Sequence, residues 1–302
     1  MSAPHTVTVR VPGSTSNCGS GFDTLGLALK IYNRVTLTRR AGAPTAGVDC
    51  PDAAVRALVD PAAAAFFQKT GGVPFGFACG VDGEVPAARG LGSSATVRTG
   101  VVAGLNVLAG AGLSNRQIIE LVTALEGHPD NAAPSVLGGF CVSRTSPVNG
   151  AFLDCVRIAV PAELAFVVVA PRVKVLTKES RKALPKQVPF FDAVKSINAA
   201  SFLVAVFATR EFAKLRHAVA DFIHEPYRLP AVPGGGRAID EGIAAGALAG
   251  WLSGSGSGVL CVCEAPAAAA VCRAMESAVK AAKVGCEGAW ILAADNDGLV
   301  LE

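Results

Sequence analysis

The sequence predicts an α+β fold in two domains, and three observations carry the prediction. At 302 residues the chain exceeds the usual size of one domain and suits two compact ones. Short runs of strand character are interspersed with longer segments of helical period. Apolar residues make up 51% and charged residues 17%, without a low-complexity tract, so a large core is expected.

Taken in order, residues 6–11 alternate β-branched and polar side chains and read as a strand that breaks at Pro12-Gly13 into a loop rich in Ser, Gly and Asn. Residues 95–108 space Val97, Val101, Leu105 and Leu108 as a helix, directly after a glycine- and serine-rich turn. A second helix over 115–125 ends at Glu126-Gly127, and the HPDNAAP that follows reads as turn before the pair Gly138-Gly139. Strands resume there.

The apolar run 164–170, bounded by Pro161 and Pro171, reads as the first strand of a second domain, which puts the division at 1–160 and 161–302. Helices are expected over 191–209, 214–222, 238–249 and 267–282, a strand over 259–263, and a final hairpin turning at Asn296-Asp297-Gly298. No internal repeat is visible.

Several function classes are disfavoured. The net charge is only +3 and basic residues are scattered, apart from pairs such as Arg39-Arg40 and Arg181-Lys182, so no nucleic-acid stripe forms. No basic-then-apolar leader opens the chain, and apolar runs such as 165–171 are too short to span a bilayer, which points to the cytoplasm. The nine cysteines, among them Cys141, Cys155, Cys261, Cys263 and Cys272, lie mainly in apolar segments without CxxC spacing and read as buried thiols. Cys261 and Cys263 share one strand face.

The strongest chemical signal is PAARGLGSSA at 86–95. Its glycines allow backbone amides to turn inward just before a helix begins, where the positive end of the helix dipole adds to them, so the loop is an anion cradle. A glycine-rich connection without a ligand is the competing reading. It is not a Walker A loop, because no Lys follows the last glycine.

This string resembles the phosphate-binding motif of the GHMP kinases. VPGSTSNCGSGFDTLGLAL near the N-terminus and LSGSGSGVLCV near the C-terminus resemble the first and third motifs of the same family. ALEGHPDNAAPSVLGGF, TKESRKALP and DFIHEPYRLPAVPG resemble stretches of its homoserine kinase branch. The resemblance spans essentially the whole chain. It implies an N-terminal ribosomal-protein-like β-α domain packed on a C-terminal ferredoxin-like domain, with ATP, Mg2+ and L-homoserine meeting between them, in a homodimer.

What the resemblance implies can be carried over residue by residue. Pro86, Arg89, Gly90, Leu91, Gly92, Ser93, Ser94 and Ala95, with Gly254 and Gly256 of the third motif, match the nucleotide site. Ser94 and Glu126 match the Mg2+ pair, a hydroxyl and a carboxylate suited to a hard cation. By itself, Glu126 reads as an ordinary helix-terminal acid. Arg181 and Arg228 match the residues that grip the substrate carboxylate, Thr177 lies one turn before Arg181, and Asp23 and Asn17 match the ammonium side. Asn131 matches the side chain near the reacting hydroxyl, which it or Asp23 would orient. Singly, each reads as solvated charge or turn structure. His128 and His224 are assigned to loop structure, and no general base stands out.

The chain departs from the pattern in places. Ser20 stands where Pro is usual, and Ser257-Gly258 where Pro-Thr is, so both loops are expected to be loose. Ala57 replaces an Asn near the adenine. Thr96 and Arg98 stand where small apolar residues are usual, and Arg98 reads best as a surface arginine, with a phosphate contact as the alternative. Two other functions compete: a GHMP kinase for another small alcohol, which would lack the paired arginines, and a catalytically silent GHMP-fold binding protein, which would not need the Ser94–Glu126 pair.

Overall fold

The computed structural model describes residues 4–40, 47–175 and 177–302, with the side chains of Thr177 and Lys178 outside the described set. The first half supplies strands β1 (Thr6–Ser16), β2 (Leu25–Arg39) and β3 (Val48–Asp49), helix α1 (Ala53–Thr70), strand β4 (Phe77–Gly83) and helices α2 (Ser93–Ala109), α3 (Asn115–Glu126) and α4 (Ala132–Leu137). Strands β5 (Phe140–Thr145) and β6 (Phe152–Ile158) complete it. Then come β7 (Leu164–Pro171), α5 (Thr177–Lys182), α6 (Phe190–Thr209), α7 (Glu225–Arg228) and α8 (Gly235–Ala244). The chain ends with β8 (Ala249–Leu252), β9 (Val259–Glu264), α9 (Ala268–Ala281), β10 (Cys286–Ala293) and β11 (Val300–Leu301).

Two sheets result. The first has seven strands, β11-β1-β2-β4-β3 with β5 and β6 branching from β2, and the second runs β10-β7-β9-β8. In the second, every neighbouring pair is antiparallel. Its β-α-β-β-α-β succession is the ferredoxin-like pattern, so the α+β expectation holds. The sheets change between Ile158 and Leu164, and the last strand crosses back to pair with β1.

The cores explain the layering. Helices α1, α2 and α3 bury Phe66, Val101, Leu105 and Val122 against Val9, Val11, Val35 and Leu37 of the first sheet. A second core lies between the sheets, where Leu25, Leu27, Leu29 and Phe140 meet Phe166, Val168, Trp251, Leu260 and Phe207. Alternate residues of β7, Ala165, Val167 and Val169, face α8 and α9 beside Cys261 and Cys263. With both faces covered, β7 reads as a continuous apolar run. The six cysteines that are fully buried include Cys141, Cys261 and Cys263, while Cys155, Cys272 and Cys286 are half-buried, and all nine thiols are free.

Local expectations fail where tertiary contacts decide. β1 does not stop at Pro12-Gly13. A bulge there absorbs the irregularity and pairing with β2 continues to Ser16. The expected turn gives way at Ala132 to a short helix, α4, which runs to Leu137. The helix expected over 214–222 is a 3-10 turn, Phe212–His217, and the one over 238–249 begins at Gly235 and ends at Ala244, because Ala249 already belongs to β8. The final turn exists, closed by the buried Asp295 carboxylate, which accepts from the Asp297 and Gly298 amides. Yet its flanking strands join different sheets, so there is no hairpin. Helix α6 is long and apolar enough to cross a membrane by composition, but it packs Ser196, Ala199, Leu203, Val206 and Phe207 into the protein.

One close approach sets the loop between α3 and α4 on β2. A Cβ on Gly26 would lie 1.7 Å from the Asp130 carbonyl oxygen. Because the obstacle is backbone, Gly26→Ala should destabilise the protein by the upper end of the ~1–3 kcal/mol typical of overpacking. Urea denaturation measures it, and an unchanged midpoint would mean that the loop yields freely.

Candidate active site

Strand β1, the loop before α2, the α3–α4 loop, α5, α7 and the β8–β9 loop converge on one cleft between the sheets. Its wall includes Asn17, Asp23, Gly90, Leu91, Gly92, Ser93, Ser94, Glu126, Asn131, Arg181, Arg228, Gly254 and Gly256, all expected from sequence. His128, Asp130, Ser16 and Leu58 join them. Pro86, Arg89 and Ala95 are not on that wall among the described residues, and the side chain of Thr177 lies outside them.

The phosphate loop is built by close contact. Gly90 adopts φ 73°, and a Cβ there would sit 2.0 Å from the Ser253 carbonyl oxygen. Ser253 Oγ donates to the Gly90 carbonyl at 2.6 Å, and the Ser14 amide donates to that of Leu91 at 3.1 Å. Helix α2 then starts from Gly92 without a side-chain cap, so its first amides are available to an anion. Arg89 serves this loop from beneath. It is buried and donates to the carbonyls of Ala88 and Val173, with Glu287 3.6 Å away.

At the mouth of the loop, Ser94 Oγ donates to Glu126 Oε2 at 2.9 Å. Glu126 is the last residue of α3, brought to the first turn of α2 by the contact between those helices. Two hard oxygen donors beside a phosphate cradle fit a Mg2+ ion. The surface role expected for Arg98 is wrong. Arg98 Nη1 donates to Glu126 Oε1 at 2.6 Å and to the Leu125 carbonyl at 2.7 Å, and the side chain is only 16% exposed.

The opposite wall carries charge. Arg181 Nη2 spans both oxygens of Asp23 at 2.7 and 2.9 Å. Arg228 is buried, lies 4.9 Å above the Phe22 ring and, among the described residues, makes no ion pair with a carboxylate. Burial, then Arg181, pulls its guanidinium below the usual range. Burial is the largest influence on Asp23 and pushes its carboxyl up, reinforced by Asp130 and opposed by Arg181.

Asn17 and Asn131 are braced. Asn17 Nδ2 donates to the Gly254 carbonyl and its Oδ1 accepts from the Asp23 amide, each at 3.0 Å, in the left-handed backbone that both Asn17 and Asp23 adopt. Asn131 Oδ1 accepts from Ser14 Oγ and its Nδ2 donates to Ser16 Oγ. Asn131 therefore presents one fixed face to the cleft.

His128 and Asp130 were not expected on the wall. Their carboxylate–imidazole contact, His128 Nδ1 to Asp130 Oδ1, is buried. Burial alone pulls the imidazole down, but Asp130 and Asp23 outweigh it and raise it to about 9. Asp23, His128 and Asp130 sit close together, with His128 Nδ1 already engaged by the Asp130 carboxylate. His224 stays structural: Nε2 lies 2.8 Å from the Gly19 carbonyl, its ring stacks on Phe22, and burial lowers it.

The loosening expected at Ser20 and Ser257 is countered by bonds, from Ser20 Oγ to the Ala218 carbonyl and from Ser257 Oγ to that of Pro171. Ala57 is exposed on α1, while Leu58 lines the cleft.

Comparison with known proteins agrees with this geometry. Residues 57–139 match the GHMP kinases N terminal domain and residues 203–281 the GHMP kinases C terminal domain. The homoserine kinase of Moorella thermoacetica is 37% identical over 84% of this chain and 86% of its own. The chain belongs to the GHMP kinase family, on its homoserine kinase branch. The homoserine kinase of Microchaete diplosiphon is 34% identical over 99% of this chain and 98% of its own. A solved homoserine kinase from Cytophaga hutchinsonii superposes with a TM-score of 0.88 at 26% identity, covering 100% of this chain and 99% of that one.

The His128–Asp130 pair predicts a pH effect. Because the folded imidazole is raised from 6.5 to about 9, its contribution is complete below pH 6.5 and is lost as pH rises through 9. Wild type should therefore lose about 3 kcal/mol more stability between about pH 6 and 10 than His128→Gln. Parallel pH–stability curves would contradict it.

Proposed function

We propose that the protein is a homoserine kinase that transfers the γ-phosphoryl group of ATP to the hydroxyl of L-homoserine, giving O-phospho-L-homoserine. The observation that carries the substrate is the pairing of two arginines, one of them buried without a carboxylate partner among the described residues, with the acids Asp23 and Asp130 on the same wall. Such a wall suits a small zwitterion. Mevalonate or a sugar would leave the acidic side without a cation, and an unpaired buried charge is costly.

In this reading the amides of Gly92, Ser93 and Ser94 bind nucleotide phosphates, and Leu58 borders the base. Ser94 and Glu126 hold Mg2+, which supplies charge neutralisation for the phosphoryl oxygens. Arg181 and Arg228 take the substrate carboxylate in bidentate fashion. The ammonium replaces Arg181 as the partner of Asp23, with Asp130 behind it. Asn131, held by Ser14 and Ser16, orients the hydroxyl, so catalysis rests on positioning and electrostatics. The same proposal places the enzyme in the cytoplasm, in threonine biosynthesis, as a homodimer, with 1–160 and 161–302 as its two units.

Arg228→Ala removes one partner of a desolvated charge pair, a loss of about 2–5 kcal/mol, or about thirty- to several-thousand-fold in kcat/KM for homoserine. The Kd for the nucleotide should stay nearly unchanged, because the phosphate loop is a separate element. Steady-state ADP release with homoserine, threonine, serine, mevalonate and galactose, together with nucleotide calorimetry, measures both. A variant that weakens nucleotide binding as much as homoserine use, or a wild type that prefers mevalonate or galactose, would overturn the substrate assignment.

Serine and glutamate at the metal position yield a second expectation. Ser94→Ala and Glu126→Ala should each lower kcat on the order of a hundredfold while remaining folded by circular dichroism. A folded variant turning over near the wild-type rate would remove that residue from the metal site.

A further inference from the structure

We propose that Arg98 is a positioning residue that holds Glu126 to single-oxygen coordination and so makes the metal site selective for Mg2+ over Ca2+. The inference rests on the metal role assigned above to Ser94 and Glu126 and goes beyond it, because nothing in that role requires an arginine at this place.

The geometry is specific. Arg98 sits in the second turn of α2, and α2 packs on α3, which ends at Glu126. One guanidinium nitrogen, Nη1, donates both to Glu126 Oε1 at 2.6 Å and to the Leu125 carbonyl at 2.7 Å. That carbonyl belongs to the last turn of α3, where a cation is also favoured by the helix dipole. Glu126 lines the cleft and Arg98 does not, so the arginine holds the carboxylate from behind. The other oxygen, Oε2, is left to Ser94 Oγ at 2.9 Å. Both side chains are shielded, at 16% and 10% exposure, and Arg98 Nε is buried with no partner among the described residues. An arginine that leaves a donor unsatisfied in order to reach one carboxylate oxygen is not placed there for its own stability.

The consequence follows from the ions. Ca2+ takes six to eight oxygens and readily accepts a carboxylate through both, whereas Mg2+ requires near-octahedral geometry and takes carboxylates through one. With Oε1 engaged by Arg98, Glu126 has one oxygen to give. That matches Mg2+ and denies Ca2+ its two-oxygen mode. Removing the guanidinium frees Oε1. Loss of a positive charge strengthens both divalent ions alike, but only Ca2+ gains a further ligand, so the ratio between them reports position and not charge.

The test is binding, not turnover. Calorimetry measures the Kd of a non-hydrolysable ATP analogue at saturating Mg2+, at saturating Ca2+ and in EDTA, for wild type, Arg98→Met, Arg98→Lys and Glu126→Gln. Arg98→Met should lower the ratio of Kd with Ca2+ to Kd with Mg2+ by about tenfold, the scale on which partners behind a metal ligand act. Arg98→Lys, which keeps the charge and a donor on a shorter stem, should lower it less, and it carries the test if Arg98→Met fails to fold. An unchanged ratio in the folded variants, including one where both affinities move together, overturns the role of Arg98 alone. If Glu126→Gln leaves the analogue's affinity unaltered with both ions, the metal assignment itself falls, and this inference with it.

Discussion

The cleft depends on one interlock. Three segments far apart in sequence, the end of β1, the loop before α2 and the loop between β8 and β9, meet backbone against backbone. The Gly254 amide donates to the Ser16 carbonyl, Asn17 Nδ2 donates to the Gly254 carbonyl, and Ser253 Oγ reaches Gly90. Trp251 Nε1, from the floor of the second sheet, donates to Thr15 Oγ1 of the first. These bonds are satisfied only when both sheets are in place, and buried polar groups left unpaired are costly. The phosphate loop is therefore shaped by the docking of the two halves rather than by its own residues.

The same interlock sets the electrostatics. Asp23, Asp130, His128, Arg181 and Arg228 are drawn into one partly desolvated wall, where each charge is tolerated through its neighbours. Asp23 is paired with Arg181, and His128 with Asp130, which leaves Arg228 as the charge whose compensation is incomplete. A zwitterion redistributes these pairs without adding net charge to the wall. In the proposed function, the amide-lined loop and the Ser94–Glu126 pair are what meets the anionic donor. Under that proposal, a site without an evident base works by holding two reactants in line.

Much of this was legible in the sequence: the phosphate loop because glycine and serine spacing reports backbone geometry directly, and Glu126, Arg181 and Arg228 because the chain resembles the GHMP kinases. Gly90, Gly92, Ser94, Glu126, Arg181 and Arg228 all reach the cleft as expected. The failures share a cause in contacts remote along the chain. The turn at Asn296-Asp297-Gly298 is real, but its strands belong to different sheets, which local pattern does not encode. Asp130 carries no signal in the sequence, because its carboxylate gains meaning only beside His128 and Asp23. Arg98 reads as a surface residue from helical spacing, and only the packing of α2 on α3 reveals Glu126 as its partner. Arg89 carries a motif position yet braces the loop from below.

The most direct test is a crystal structure of the protein with L-homoserine, Mg2+ and a non-hydrolysable ATP analogue. The account predicts the terminal phosphate against the amides at the start of α2. It predicts the homoserine carboxylate on Arg181 and Arg228, its ammonium on Asp23, and its hydroxyl beside Asn131, turned toward that phosphate. Homoserine bound with its ammonium toward the arginines, or phosphates seated away from residues 90–94, would contradict it.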